Sequence, residues 1–298
     1  MKKYINILLT LFFVILEIFV LSSSKIFIKN FTNSLNICLY NLMPTMFSSI
    51  LFSQILIKLE FFKYIPKVII NFFKNIFNIN KEDVSIFFLS IISGYPNNAK
   101  MLVNNKNLNN IIHYTNFVNP IFLVGTVGGI YLKNIKLSLI ILISNYISNI
   151  IIGIVFRKQS VVSKKTNNSN NNSFLDMYYS SLKSTIYTLA IIFSNILFFS
   201  IIISLITNII HLNEPFNSIL VGLIEFSSGI YKISFSNINL FYKGLLISII
   251  ITFSSFSMHM QIMSLNDKIK YIKYFLIRIF NVFIIIIIYI LFFFLFYI

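Results

Sequence analysis

The sequence predicts an all-α polytopic membrane protein with about seven transmembrane helices and two re-entrant hairpins in an inverted repeat. Composition is the first reason. Of 298 residues, 57% are hydrophobic and 11% charged, and mean hydropathy is +0.85, whereas a soluble domain is roughly half apolar and about a quarter charged. An ordinary soluble enzyme is excluded. The second reason is length, since apolar runs of about 20 residues, enough to cross a bilayer, recur along the chain. The third is order: span, short broken apolar stretch, span with a polar middle, and span occur twice, on either side of a polar linker.

Taken in order, residues 2–24 begin with Lys2 and Lys3 and end at Ser22, Ser23 and Ser24 around an apolar core. That core is longer than a signal h-region, Glu17 interrupts it and no A-x-A site follows, so it reads as an uncleaved first span. With its loop it forms an N-terminal segment, 1–36. A second span covers 37–59, with Pro44 near its start. Over 61–80, Lys63, Lys67, Asn71, Lys74 and Asn78 recur every three or four positions among Phe, Ile and Val, the pattern of a basic amphipathic helix on a membrane surface. The apolar stretch 84–92 rises only about 14 Å as a helix, half the hydrocarbon core. It stops at Ser93-Gly94-Tyr95-Pro96 before a polar segment, so 84–108 is expected to be a re-entrant hairpin. Two further spans, 111–131 and 137–156, complete the first repeat (37–156).

Residues 157–183, rich in Asn and Ser, are expected as a polar linker. The second repeat, 184–298, holds spans at 185–209, 241–262 and 275–296. Between them lies a hairpin, 217–238, broken at Ser227-Ser228-Gly229.

The 24 Lys and Arg against 8 Asp and Glu could point to nucleic acid, but the cations are spread over many loops, not gathered on one aromatic-studded face. Topology accounts for them better. With the N-terminus inside and both hairpins returning to their side of origin, only Lys25, Lys29, Lys133, Lys136, Lys232 and Lys243 lie outside, opposite eighteen others, as the positive-inside rule expects. The two hairpins then enter from opposite faces, the inverted repeat of a secondary transporter. The single cysteine, Cys38, leaves no intramolecular disulfide, Cys-based zinc site or iron–sulfur cluster.

Candidate binding residues are the polar ones that break the apolar runs. At the first hairpin tip Pro96 suits a first helical position, the N–H groups of Asn97 and Asn98 point towards the membrane midplane, and Lys100 lies a turn further on. Together with Ser93, Gly94 and Tyr95 this makes a candidate anion site. At the second tip Ser227 or Ser228 is expected to cap the returning half, with Gly229 permitting close approach. Both tips are also readable as tight turns with polar caps.

Pro120 removes a hydrogen bond from the carbonyl of Asn116, and Asn116 and Asn119 flank that break. They suit a cation or a substrate hydroxyl, or else bond neighbouring helices across a proline kink. Ser255, Ser257, His259 and Gln261 occupy the matching stretch of the second half, and their spacing by two implies local unwinding or helix–helix bonds. Glu225, before the second tip, and Glu17 are costly in lipid and are candidates for proton coupling, or protonated carboxyls bonded to backbone.

Other motifs fail. Gly94 to Met101 nearly matches a phosphate-binding loop, but Ala99 replaces its glycine and Met101 its magnesium-binding hydroxyl. Met258-His259-Met260 with Met263 is no more than chance in an apolar chain with eight Met. No hydrolase motif or carboxylate pair is present. The expectation is therefore no enzyme, no catalytic residues, no cofactor and no metal, with the lipid bilayer and a small anionic substrate as partners and no nucleic acid.

Ser93-Gly94-Tyr95-Pro96-Asn97-Asn98-Ala99-Lys100, then Thr115-Asn116-Phe117-Val118-Asn119-Pro120-Ile121-Phe122 leading to Gly125-Thr126-Val127-Gly128, and later Ser257-Met258-His259-Met260-Gln261, resemble the sporulation integral membrane protein YlbJ (SpoVV) family. That family belongs to the nucleoside-recognition or Gate superfamily, related to concentrative nucleoside transporters. The resemblance spans nearly the whole chain from about Ile37, although Asn98 stands where the family motif usually has glycine, the mark of a divergent member. It implies a bacterial integral membrane protein of the outer, mother-cell-derived forespore membrane that transports dipicolinate from mother cell towards forespore during endospore formation. A nucleoside or other metabolite carrier is the alternative, and a non-transporting assembly factor of the sporulating membrane a third.

Overall fold

A computed structural model describes residues 2–103, 105–157 and 173–297. Residues 158–172, which carry the Asn-rich part of the expected linker, lie outside the described residues. Every regular element among the described residues is helical. Six helical stretches are long and apolar enough to cross a membrane: Lys3–Ser22, Ser24–Lys58, Ile135–Val155, Phe174–Ile209, Leu240–Leu265 and Tyr271–Phe296. The chain is a polytopic, all-α integral membrane protein.

Helix α1 (Lys2–Ser22) is exposed along most of its length and touches the rest through contacts such as Phe13 on Phe198, 6.2 Å between ring centroids. Helices α2 (Ser24–Asn36) and α3 (Met43–Lys58) join through a π-helical turn, Ile37–Leu42. The loop expected before residue 37 is thus helix, because no breaker precedes Pro44. Pro44 itself offers no N–H to the preceding turn, and the chain accommodates it by widening locally. Cys38 is buried in that turn.

A basic amphipathic helix is present as α4 (Lys67–Phe77), between Pro66 and the left-handed Asn78. It presents Lys67, Asn71 and Lys74 outward and packs Phe73 and Phe77 on Phe87. Helix α5 (Lys81–Ser93) starts with an Asn80–Asp83 capping box. Asp83 also accepts from Asn105 (2.7 Å) and Asn107 (3.0 Å), clasping the start of α5 to the segment that returns from its tip.

The predicted returning half-helix is much shorter than expected. Only α6 (Asn97–Met101) is helical, followed by turns and the single turn α7 (Leu108–Ile111). The predicted span 111–131 is likewise not one helix. Residues 115–119 are non-helical, and Pro120 opens a π-helical segment, Ile121–Tyr131. The physical reason is the one read from sequence, a proline in mid-run; its effect is larger than a kink because the freed backbone groups find partners on neighbouring helices.

Helix α8 (Ile135–Val155), before the expected linker, is capped by Asn134, whose side chain accepts from Leu137 N–H. Helix α9 (Phe174–Ile209) carries a Ser173–Asp176 capping box, so the end of the expected linker is helical from Phe174. Helices α10 (Phe216–Ile224) and α11 (Phe226–Phe235) form a hairpin broken by the extended residue Glu225. Helices α12 (Leu240–Phe253) and α13 (Phe256–Leu265) are interrupted by Ser254 and Ser255, both at positive φ. The unwinding implied by the polar residues 255–261 therefore falls at their start, while His259 and Gln261 are helical. Helix α14 (Tyr271–Phe296) closes the fold.

Two groups of long helices enclose the interrupted ones. Along α9, Asn30 donates to Ser204 at one end (3.0 Å) and Lys58 to Ser180 at the other (2.5 Å), so α2 and α3 run antiparallel to it. Helices α8, α12 and α14 pack together on the other side.

Candidate functional site

Four interruptions meet between these groups: Gly94–Pro96, residues 115–120, Glu225 and Ser254–Ser255. Gly94 has φ +70°, and its α-carbon lies so close to the backbone of Asn119 that a β-carbon would overlap it. Tyr95 N–H donates to Phe117 O (2.8 Å), so the first tip docks on the non-helical segment. Asn119 fastens the joint. Its Nδ2 donates to Ser49 Oγ (2.8 Å) and Ser93 O (3.1 Å), and its Oδ1 accepts from the N–H groups of Ile121 (2.9 Å) and Phe122 (3.1 Å).

The tip also reaches the other half. Tyr95 Oη donates to Ile251 O (3.1 Å), its ring lies 6.1 Å from that of Phe226, and Phe226 in turn meets Phe122 at 5.7 Å. Asn116 Nδ2 donates to Ser254 Oγ (2.7 Å), joining the non-helical segment 115–119 to the break between α12 and α13. Ser255 Oγ donates to Gly222 O on α10. All these residues are deeply buried.

At the second tip Glu225, fully buried, accepts from Ser227 N–H (3.0 Å), Ser228 N–H (2.7 Å) and Ser227 Oγ (2.8 Å). The serines were expected to cap α11. Instead the glutamate does, because an extended residue directly before the helix sets its longer side chain over the first N–H groups. The N-terminus of α11 thus carries a carboxylate of the protein's own. Gly229 packs on Gly222, where neither position has space for a β-carbon.

The remaining candidates at the first tip face sideways. Asn97 Nδ2 donates to Ser53 Oγ (2.8 Å) and its Oδ1 accepts from Gln54 (3.2 Å). Asn98 Nδ2 donates to Thr115 O (3.1 Å), leaving Asn98 Oδ1 without a protein partner. Lys100 points away from the tip, towards α9, where Nζ donates to Ser184 O and to Thr188 Oγ1 (2.5 Å) and lies 5.7 Å from the Tyr187 ring centre. Five residues of α6 also provide little dipole. The anion site expected at Asn97, Asn98 and Lys100 is therefore not assembled there.

On α13, Ser257 and Gln261 stand one turn apart on one face. Both are fully buried, and Ser257 Oγ and both ends of the Gln261 amide lack protein partners. A buried amide left unbonded costs free energy, and Asn98 Oδ1 shares this unsatisfied state. His259 faces elsewhere, its Nε2 3.0 Å from Phe253 O within an aromatic shell of Phe253, Tyr271, Tyr274 and Phe275. Glu17 is exposed on α1, away from the interruptions.

Sequence reasoning missed Arg278, counting it only as an inside cation. It is fully buried. Nη1 donates to Asn149 Oδ1 (3.1 Å), the other terminal nitrogen donates to His113 O, and the guanidinium lies 5.5 Å from the Tyr274 ring centre. Tyr274 Oη donates to Asn116 Oδ1 (3.0 Å), and Asn149 Nδ2 donates to Asn116 O (3.2 Å). Arg278 therefore anchors the non-helical segment from behind. Among the described residues no carboxylate pairs with it. The available signal was a charge four positions inside an apolar run, with Asn281 a turn further on.

Comparison with known proteins finds similarity over most of the chain. The sporulation integral membrane protein YlbJ of Bacillus subtilis (strain 168) is 20% identical over 310 aligned positions, covering 88% of this chain and 76% of YlbJ. No family model matches the chain, and no solved structure matches it.

Proposed function

We propose that the protein is a membrane carrier of a small carboxylate anion, working by alternating access around the region where the four interruptions meet. In this reading the two helix–break–helix pairs are re-entrant hairpins of an inverted repeat. The observation that carries it is the joining of equivalent breaks from the two halves, Tyr95 against Phe226 and Asn116 bonded to Ser254. Broken backbone at membrane depth is tolerated where it is buried in protein or lines a water-filled cavity, and the proposal takes the second role for this region. No enzymatic step is part of the proposal.

An anion is favoured because α11 already holds one. Two N–H groups and a hydroxyl gather on the Glu225 carboxylate, and a substrate carboxylate would compete for the same donors. Displaced, Glu225 would lose its stabilising partners and take up a proton, so it is the candidate coupling group. The similarity to YlbJ, a sporulation integral membrane protein, together with the S-G-Y-P and N-P motifs, supports dipicolinate as the substrate, carried across the outer forespore membrane from the mother cell.

The test is uptake of dipicolinate into vesicles containing the purified protein. Saturable, protein-dependent uptake is expected. Its absence would overturn the proposal, and uptake of uridine alone would replace it with a nucleoside carrier.

A further inference from the structure

Away from the meeting point, a cavity of about 300 Å³ lies between α2, the π-helical turn, α9 and the α10–α11 hairpin. Its volume is at the small end of the range for organic ligands. Its wall carries the amides of Asn30 and Asn41, the Ser228 hydroxyl, the phenol of Tyr231 and one charged group, Lys232. No Asp or Glu is among the described residues that line it.

Water reaches this cavity by two arguments. Asn30, Asn33 and Asn36 all line it, and amides repeated along one helix are expensive in lipid. The continuous helix Ser24–Lys58 is about 52 Å long against a hydrocarbon core of about 30 Å, so it has turns beyond the core, and Lys25 and Lys29 place them at the α2 end. At the inner end Ser228 lies beside Glu225, which accepts from its N–H (2.7 Å). The cavity therefore runs from amides at one membrane face to the second tip.

We propose that this cavity is the outward-facing release vestibule for a small organic carboxylate, which leaves the second tip at Ser228 and is held by Lys232 and the amide wall on the side of Asn30. The proposal rests on the carrier reading and adds the side from which the site is open. The chemistry selects the anion: one cation, amide and hydroxyl groups able to donate, and no carboxylate among the described residues of the wall. Glu214, whose field reaches Lys232, spends its oxygens on Ser218 and Asn217 at the start of α10. Lys232 and Ser228 stand four residues apart on α11, on one face, so one solute touches both.

The test uses the full chain in vesicles with Cys38→Ala, so that the introduced thiol is the only one. Ser228→Cys and, separately, Asn30→Cys are exposed to a membrane-impermeant anionic methanethiosulfonate, with and without millimolar pyridine-2,6-dicarboxylate. Both thiols are expected to react from the Lys232 side. The dicarboxylate should slow the Ser228→Cys reaction about tenfold while uridine does not, and adding Lys232→Gln should abolish the protection without abolishing labelling. A folded Ser228→Cys protein that does not react, or reacts without protection, overturns the vestibule. If Ser228→Cys does not fold, the same outcomes are read at Asn30→Cys. Dipicolinate uptake without protection would remove the vestibule and leave the carrier; protection without uptake would remove the carrier and leave the binding site.

Discussion

The two hairpin tips arrive at the same place with opposite chemistry. The first is neutral and tied down: Gly94 is pressed on Asn119, Tyr95 spans to α12, and Asn97 and Asn98 bond to α3 and the non-helical segment. The second carries an ionisable group and is self-contained, with Glu225 bonded to two residues of its own helix. Repetition of a backbone pattern thus does not repeat its function. In the proposed carrier the first tip would serve as a brace against which the second, holding Glu225, works.

Of the residues at the two tips, Gly229 tolerates change least. Gly229→Val puts a branched side chain where the α-carbon of Gly222 lies, at a cost of about 3 kcal/mol or more, and the expected outcome is no monodisperse protein on size exclusion. Next is Glu225→Gln, which keeps the shape and one capping oxygen but removes the charge. Yield and thermal midpoint should stay near wild type while dipicolinate uptake falls about tenfold or more. A loss of folding with no selective loss of uptake would make the second tip as structural as the first.

Asn119→Ala sharpens the other side of the contrast. It deletes four hydrogen bonds at the brace and should destabilise the protein by about 2 kcal/mol, measured as a lowered midpoint in detergent. Uptake per folded molecule should fall less than in Glu225→Gln. Smallest is Lys100→Met. Because Lys100 bonds α9, the change should cost about 1 kcal/mol of stability and move the substrate concentration for half-maximal uptake less than about threefold. A larger shift would return Lys100 to the substrate.

Where the chain breaks was legible, because Pro120, Gly94, the nine-residue run 84–92 and the serines before α13 interrupt apolar runs in ways local chemistry cannot hide. Where side chains point was not. Lys100 sits one turn past a tip in sequence, but α9 offers Ser184 O and Thr188 within reach and turns it away, a tertiary fact with no local trace. The α6 half-helix was overestimated for a related reason: Asn105 and Asn107 leave the helical path to meet Asp83. Glu225 was readable as costly, but not as a cap, since that depends on the extended φ of −139° it adopts. Arg278 was absorbed into a count of cations, and the extent of its burial is set by α8 and α14 closing over it.

The contact of Gly222 with Gly229 has a mechanical consequence. With backbone against backbone, α10 and α11 have no side-chain layer between them that could repack into a second arrangement. In the proposed carrier they would move as one stiff lever, attached through the non-helical residues before Pro215 and between Ser236 and Asn239. Any swing of this arm carries Glu225, Ser228 and Lys232 through the same arc.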